Sequence, residues 1–340
     1  MTALTSTEWS LAARPVGMPK LSDFQMKTID IAPPGAGEIQ VKNEWMSVDP
    51  YMRGRMQDRE SYVPPFQIGE TMQGGAVGRV TVSNHPDYKE GDLVSSMAGW
   101  RTAWVGKPEM AMAQKLPEVG LPESAFLGVA GMPGLTAYAG LLRVAELKEG
   151  DTVFVSGAAG AVGSTVVQIA KIKGCSPVVG SCGSDEKVKF LIEECRYDAA
   201  FNYKTDTDYL AKVRELCPKG VDCYFDNVGG NLTDAVFANL AQFARVSICG
   251  MISQYNLQKP EMGPRASYMM LLIRQVSAQG FLVPQFGGKF PQGIQQMAKW
   301  FNEGKLTYRE DIVDGLENTP EAFIRMLKGE NRGKQLVRVS

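Results

Sequence analysis

Histidine is almost missing from this chain: among its 340 residues only His85 occurs, in the loop Ser83-Asn84-His85-Pro86. One imidazole leaves almost no scope for a histidine-based zinc site or a serine-type triad. Cysteine is present but without pattern. Its six residues, Cys175, Cys182, Cys195, Cys217, Cys223 and Cys249, form no C-x-x-C pair, and none falls in the first 174 positions. Free thiols in a reducing cytosol are therefore expected. Neither sign of charge is in excess, with Lys+Arg at 36 against Asp+Glu at 37. Such a balance offers no global field for nucleic acid or an anionic membrane, and a small molecule is the expected partner. The chain opens without the basic, apolar, small-residue order of a secretory leader. Its two long uncharged runs, Ser124 to Leu142 and Val153 to Ala170, are rich in glycine, and Met132-Pro133-Gly134 breaks the first. Both read as buried core, so no membrane span is expected.

What is present describes an ordinary globular protein, 44% hydrophobic and 21% charged, long enough for two domains. The organising stretch is Thr152 to Gly174, a strand, a glycine-rich turn and a helix in succession. Thr152 to Ser156 is β-branched and aromatic and follows the polar turn Glu149-Gly150-Asp151. Glycines at 157, 160 and 163 make a G-x-x-G-x-x-G variant of the dinucleotide fingerprint. Lacking Cβ atoms, they let the amides of Ala161, Val162 and Gly163 approach phosphate oxygens at the positive end of the helix. Val162, Val166, Ile169, Ala170 and Ile172 then give that helix one apolar face.

A second absence concerns the choice of dinucleotide. An acid that would hold a ribose 2′-hydroxyl is missing from the end of the next strand, Pro177 to Ser181, where Cys182-Gly183-Ser184 follow. Small uncharged residues there leave room for a 2′-phosphate, with Lys187 and Lys189 close behind, so NADP(H) fits better than NAD(H). The alternative is that Ser184 is only a helix cap with solvated lysines, and that Asp185 reaches the ribose diol.

Along the chain, short apolar runs and turn signals to about residue 125 suggest a mostly antiparallel β domain. From there strands and helices alternate: helix Asp185 to Cys195, strand Ala199 to Asn202, helix Asp206 to Leu216, strand Val221 to Asp226, a helix near Leu232 to Leu240, and strands Arg245 to Cys249 and Val276 to Leu282. Such an order predicts a parallel sheet covered on both faces. The tail has helices at Ile294 to Asn302 and Pro320 to Lys328 and a closing strand at Gln335 to Val339, and its expected partner is the first domain. The expected boundaries are 1–125 for the β-rich domain, 126–295 for the dinucleotide domain, and 296–340 for the return.

With these residues in place the chain resembles the zinc-independent alkenal/alkenone reductases of the medium-chain dehydrogenase/reductase superfamily. The resemblance rests on SVDPYMRGRM (Ser47 to Met56), GMPGLTAY (Gly131 to Tyr138), AAGAVGS (Ala158 to Ser164), GSDEKV (Gly183 to Val188), FNYK (Phe201 to Lys204), DCYFDNVGG (Asp222 to Gly230) and GENRGKQLV (Gly329 to Val337). It implies an α/β fold, a Rossmann doubly wound parallel sheet with a mostly antiparallel, GroES-like catalytic domain. It also implies NADP(H) held by Gly160, Ala161, Val162, Gly163 and Ser164 at the helix head, with Lys187 and Tyr203 at the 2′-phosphate. Asn227 lies along the cofactor on this reading. The segment Cys249 to Tyr255, with Gly250 and Ser253, wraps it, Phe281, Leu282 and Val283 flank the nicotinamide, and Asn331 reaches back from the tail. A homodimer joined near Val276 to Leu282 is implied as well.

The implied reaction is hydride transfer to the β-carbon of an enone or enal, which needs a donor at the carbonyl oxygen. Tyr51 is the first candidate, against a plain core role for its ring. Several eukaryotic relatives carry a tyrosine eight residues before the phenylalanine of the last strand. Ile273 stands there in this chain, and Tyr268 is displaced by five positions. Trp100 and Tyr255 are candidates for shaping the pocket, as are the loops Asp58 to Phe66 and Gln258 to Ser267. For Arg53 the alternatives are an anionic substrate group and a local acid, and pairing with the acid is the favoured reading. No metal site is expected, because Gly69-Glu70 stands without a histidine where zinc alcohol dehydrogenases carry Gly-His-Glu. The competing readings are an NADPH quinone reductase and an NADPH-binding protein without turnover.

Overall fold

A computed structural model gives the fold and describes residues 4–259, 261 and 266–339. Of the loop from Gln258 to Ser267, positions 260 and 262–265 lie outside the described residues. In chain order the elements begin with β1 (Leu4–Leu11), β2 (Phe24–Ile31), β3 (Ile39–Ser47), α1 (Tyr51–Arg55), β4 (Ala76–Ser83), β5 (Leu93–Ser96), β6 (Ala103–Gly106) and β7 (Gln114–Lys115). They continue with α2 (Met132–Ala139), β8 (Val153–Val155), α3 (Ala161–Ile172), β9 (Val178–Cys182), α4 (Asp185–Glu193), β10 (Ala199–Asn202), α5 (Tyr209–Leu216), β11 (Val221–Asp226), α6 (Gly230–Phe237) and β12 (Leu240–Ile248). The last are α7 (Ala266–Ile273), β13 (Ser277–Gly280), α8 (Phe290–Asn302), β14 (Glu310–Asp314), α9 (Thr319–Leu327) and β15 (Lys334–Arg338). The chain divides into two units, one running to Leu127 and resuming at Glu310, the other Gly128–Arg309.

In the first unit β1 and β2 form an antiparallel ribbon, and the main sheet has the order β14-β15-β3-β4-β5-β7, with β6 also paired to β3. Its pairs are antiparallel except for the parallel contact of β14 with β15. The C-terminal strand lies directly against β3, with Leu336 opposite Ser47. The core is built on Trp100, which is fully buried, stacked on Phe24 at 5.7 Å and edge-on to Phe323 at 5.9 Å. The ring that the sequence offered as a pocket wall is thus core packing.

The second unit holds the strands in the order β10-β9-β8-β11-β12-β13. All five pairings are parallel. Counted from β8 this is the order 3-2-1-4-5-6, so successive crossovers run outward in both directions from β8 and β11. The reversal opens a crevice at the carboxyl ends of those two strands. β8 and β9 are wholly buried, as their uninterrupted apolar runs predict. α8 belongs to this unit, although the sequence cut the domain at residue 295. Its Gly293 sits against Leu135 of α2, and Trp300 packs 6.1 Å from Tyr138, so the helix buries its apolar face on this unit.

Candidate functional site

The three glycines of the turn have distinct duties. Gly157 adopts φ +62°, a left-handed conformation that makes the turn tight. Gly160 caps α3 with no side chain, and an added Cβ would meet nothing closer than the Gly157 carbonyl at 3.4 Å, so the approach to the helix head is open. At Gly163 an added Cβ would lie 2.6 Å from the Gly157 oxygen and 2.7 Å from the Ala158 Cα, so the helix packs tightly on the turn. Ser164 N already donates to the Gly160 carbonyl at 2.9 Å. The amides of Ala161, Val162 and Gly163 stand ahead of that first helical bond, as donors for an anion. The Ser164 hydroxyl turns back to the Ala161 carbonyl, 3.5 Å away.

Asp226, buried at the end of β11, organises the opposite wall. Its Oδ1 accepts from the Ser156 hydroxyl at 2.8 Å and from the amides of Val228 and Gly229 at 2.9 and 3.0 Å. Its Oδ2 accepts from Thr233 at 2.8 Å. Asn227 is held against β8, its amide N–H donating to Ser156 Oγ at 2.9 Å and its Nδ2 to the Ser156 carbonyl at 2.8 Å. The amides of Cys249 and Gly250 donate to the Asp226 carbonyl. Ser253 Oγ donates to the Val228 carbonyl at 2.7 Å, and Tyr255 Oη accepts from Met251 N at 3.3 Å. The segment 249–255 therefore folds back over the end of β11. Burial pushes the Cys249 thiol up to about 12, making it a neutral wall rather than a nucleophile.

At the end of β9 the sequence expectation of a capped helix also holds, because Ser184 Oγ accepts from Lys187 N at 3.3 Å. Over this turn lies Tyr203, whose hydroxyl would be 2.9 Å from a Cβ placed on Gly183. Lys204 runs beside it, its Cε 3.4 Å from the same point. Asp185, the alternative candidate for a ribose diol, accepts from Asn202 Nδ2 at 2.8 Å. Lys189 lies 3.9 Å from Glu193 one turn along α4. Lys187 stands in the first turn of α4 beside this turn, and Lys204, which the sequence reading did not single out, ends the quoted FNYK motif. Glycine at 183, a tyrosine hydroxyl and two lysines fit a 2′-phosphate. The open helix head fits a pyrophosphate.

Phe281 is buried, edge-on to Phe225 at 6.2 Å and to Phe286 at 6.3 Å, so its ring is core and only its backbone is available to a ligand. Leu282 and Val283 follow Phe281 after β13, and Leu282 N donates to Gln285 Oε1 at 3.2 Å. Asn331 lies in the first unit, where its Nδ2 donates to the Gly333 carbonyl at 2.9 Å. Tyr268 stands 77% exposed on α7, beside exposed Met269, Leu272 and Ile273.

Tyr51 opens α1 in the first unit. Its ring packs against the core cluster of Met52, Met56 and Trp100, which is the plain reading of the residue. Its hydroxyl is buried yet has no hydrogen-bond partner, which is what a substrate contact needs. Burial, with Asp49 nearby, pushes the Tyr51 phenol well above its ordinary value, so it is a neutral donor at any ordinary pH. Arg55, one turn on, donates from Nε to the Pro64 carbonyl and from Nη2 to Gln73 Oε1, both at 2.9 Å, and lies 4.0 Å over the Phe66 ring. It thereby holds the loop from Asp58 to Phe66. Arg53 donates from Nη2 to the Gly17 and Pro15 carbonyls, at 2.7 and 3.4 Å, and fixes α1 to the N-terminal segment.

A parallel 3-2-1-4-5-6 unit with an open helix head, joined in one chain to an antiparallel β unit that its own last strand completes, defines a medium-chain dehydrogenase/reductase. Residues 7–114 match the family model described as the N-terminal domain of oxidoreductase, and residues 161–302 the model described as zinc-binding dehydrogenase. The chain is 43% identical to the NADPH-dependent curcumin reductase of Escherichia coli (strain K12), over 98% of its own length and 96% of that protein's. It is 42% identical to the NADP(+)-dependent 2-alkenal reductase of Nicotiana tabacum, over 95% and 94%. The crystal structure of CurA from Vibrio vulnificus in complex with NADPH superimposes with a TM-score of 0.92 at 40% identity, covering 98% of this chain and 99% of that one. The chain belongs to the zinc-independent alkenal/alkenone reductase family of medium-chain dehydrogenase/reductases.

Proposed function

We infer that this protein is an NADPH-dependent reductase of the carbon–carbon double bond in α,β-unsaturated ketones and aldehydes. The observation that carries the reading is its likeness, along nearly the whole chain, to curcumin and 2-alkenal reductases. NADPH, when bound, supplies the hydride. Every other requirement falls on the chain. Gly160 to Ser164 hold the pyrophosphate on backbone amides. Lys187, Tyr203 and Lys204 take the 2′-phosphate. Asn227, Cys249, Gly250, Ser253 and Tyr255 form the wall along the cofactor, with the backbone of Phe281 to Val283 and the tail residue Asn331 completing its contacts.

Tyr51 meets the substrate carbonyl oxygen. As negative charge gathers on that oxygen, the hydroxyl donates to it, a contact worth roughly 3 kcal/mol when water is excluded. A phenol made hard to ionise by burial holds its proton until an oxyanion forms beside it. Tyr268 is a weaker candidate on its exposed helix. The chain works as a homodimer through the edge of β13 and the apolar outer face of α7, and its buried free thiols suit the reducing cytosol.

The test follows NADPH oxidation by absorbance with a simple alkenone, an enal and a quinone, each repeated with NADH. Turnover of the alkenone and enal with strong NADPH preference supports the reading. Quinone-only turnover moves it to the quinone reductases, and NADPH binding without turnover makes the protein a non-catalytic binder.

A further inference from the structure

Two signature stretches at opposite ends of the chain, Ser47 to Met56 and Gly329 to Val337, meet in one ion pair. Lys334 Nζ, on β15, lies 2.6 Å from Asp49 Oδ1 and donates to the Val48 carbonyl at 3.1 Å. Both side chains are about as buried as the apolar core, at 5% and 6% exposure. The other Asp49 oxygen accepts from the Ser47 hydroxyl. Across the sheet Glu310 of β14 stands in register with Lys334, and its Oε2 accepts from Ser124 at 2.9 Å.

A buried ion pair is a poor source of stability, since desolvation consumes most of its attraction and apolar residues of like volume would serve as well. What it supplies here is direction. Lys334 binds two consecutive groups of the chain, the carbonyl of residue 48 and the carboxylate of residue 49. The Asp49 carbonyl in turn accepts from Met52 N at 3.1 Å and starts α1. A helix of five residues has no stability of its own, so its anchors set its orientation. Arg53 and Arg55 fix its later residues. Asp49 fixes its head, two residues before Tyr51.

We propose that Lys334, through its buried pair with Asp49, is the positioning residue that aims the Tyr51 hydroxyl at the substrate carbonyl. The inference rests on the reading of Tyr51 as the substrate donor. Its consequence is that a residue at the end of the chain governs kcat without touching substrate or cofactor.

The test uses the NADPH-bound full-length protein and the variants K334M, D49N/K334M, Y51F and K334M/Y51F. It measures kcat and KM for an alkenone, NADPH affinity by fluorescence, and melting temperature. K334M is expected to lose about tenfold or more in kcat, as a small misplacement of a reacting group does, with NADPH affinity unchanged. D49N/K334M, which leaves no unpaired buried charge, is expected to regain melting temperature but not kcat. K334M/Y51F is expected to be no slower than Y51F. Wild-type kcat in K334M, or a kcat that recovers with stability in D49N/K334M, overturns the inference alone when Y51F is impaired. Wild-type kcat in Y51F overturns the Tyr51 reading beneath it. Should K334M not fold, the double variant decides on the same criterion: kcat lost with NADPH affinity intact supports the inference, and wild-type kcat overturns it.

Discussion

Lys187 and Tyr51 carry the account at the level of single residues, and each makes a separable claim. A charge-assisted contact to a phosphate is worth about 1.5 to 3 kcal/mol, so Lys187→Ala should weaken NADPH binding about 10- to 100-fold. NADH, which has no 2′-phosphate, should bind as before. Fluorescence titration with both cofactors checks this, and equal losses for the two would contradict it. Tyr51→Phe removes a hydroxyl that no protein group satisfies. Its kcat should fall about a hundredfold while its melting temperature stays level or rises, since a buried unpartnered hydroxyl costs stability. Much at this scale was legible in the sequence. The glycine spacing and the missing acid after β9 depend on local backbone chemistry, which a sequence displays. The partners of Arg53 and the pairing of Asp49 with Lys334 depend on contacts between distant parts of the chain, which it does not.

Among elements, the helix expected near Leu232 to Leu240 ends at Phe237 and β12 begins at Leu240 rather than Arg245, whereas the other parallel strands and their helices were read to within about four residues, because buried parallel strands are apolar and amphipathic helices repeat. β14 was not. Glu310-Asp311-Ile312-Val313-Asp314 holds three acids, which are rare in strands, and the segment is held at the sheet edge by β15, with Arg325 and Arg338 facing its carboxylates at 3.6 and 3.3 Å. α1 was also unread, since five residues show no period. The β14 strand yields a pH dependence. Burial raises the Glu310 carboxyl above its ordinary value, against the opposing pull of the Ser124 bond and of Lys334. The folded protein therefore holds this proton more tightly than the unfolded chain does. The group's contribution is full below the unfolded value and lost as pH rises through the raised one. Glu310→Gln should accordingly melt higher than wild type at neutral pH, with the gap closing toward mildly acid pH. Melting curves across that range check the sign, and a gap that widens in acid would contradict it.

On the scale of the whole molecule, α7 and β13 present an unfinished surface. β13 is the last strand of its sheet, and Tyr268, Met269, Leu272 and Ile273 leave the neighbouring helix largely apolar and exposed, Leu272 at 74%. Apolar patches of this kind mark contact surfaces, and open edges invite another strand. Light scattering should give twice the mass of one chain, and Leu272→Glu should shift it toward the single chain without loss of NADPH binding. A wild-type monomer would contradict the dimer. The division of the chain followed the return of β15 to β3, foreseen from the closing strand, whereas the cut at residue 295 failed because α8 buries Trp300 against α2 of the dinucleotide unit. The regiochemistry of the proposed reaction is the most direct test. NADPH deuterated at the nicotinamide C4 should be used to reduce a simple alkenone, and the product read by NMR. The account expects deuterium at the β-carbon of a saturated ketone. Deuterium on the carbonyl carbon of an allylic alcohol would contradict it.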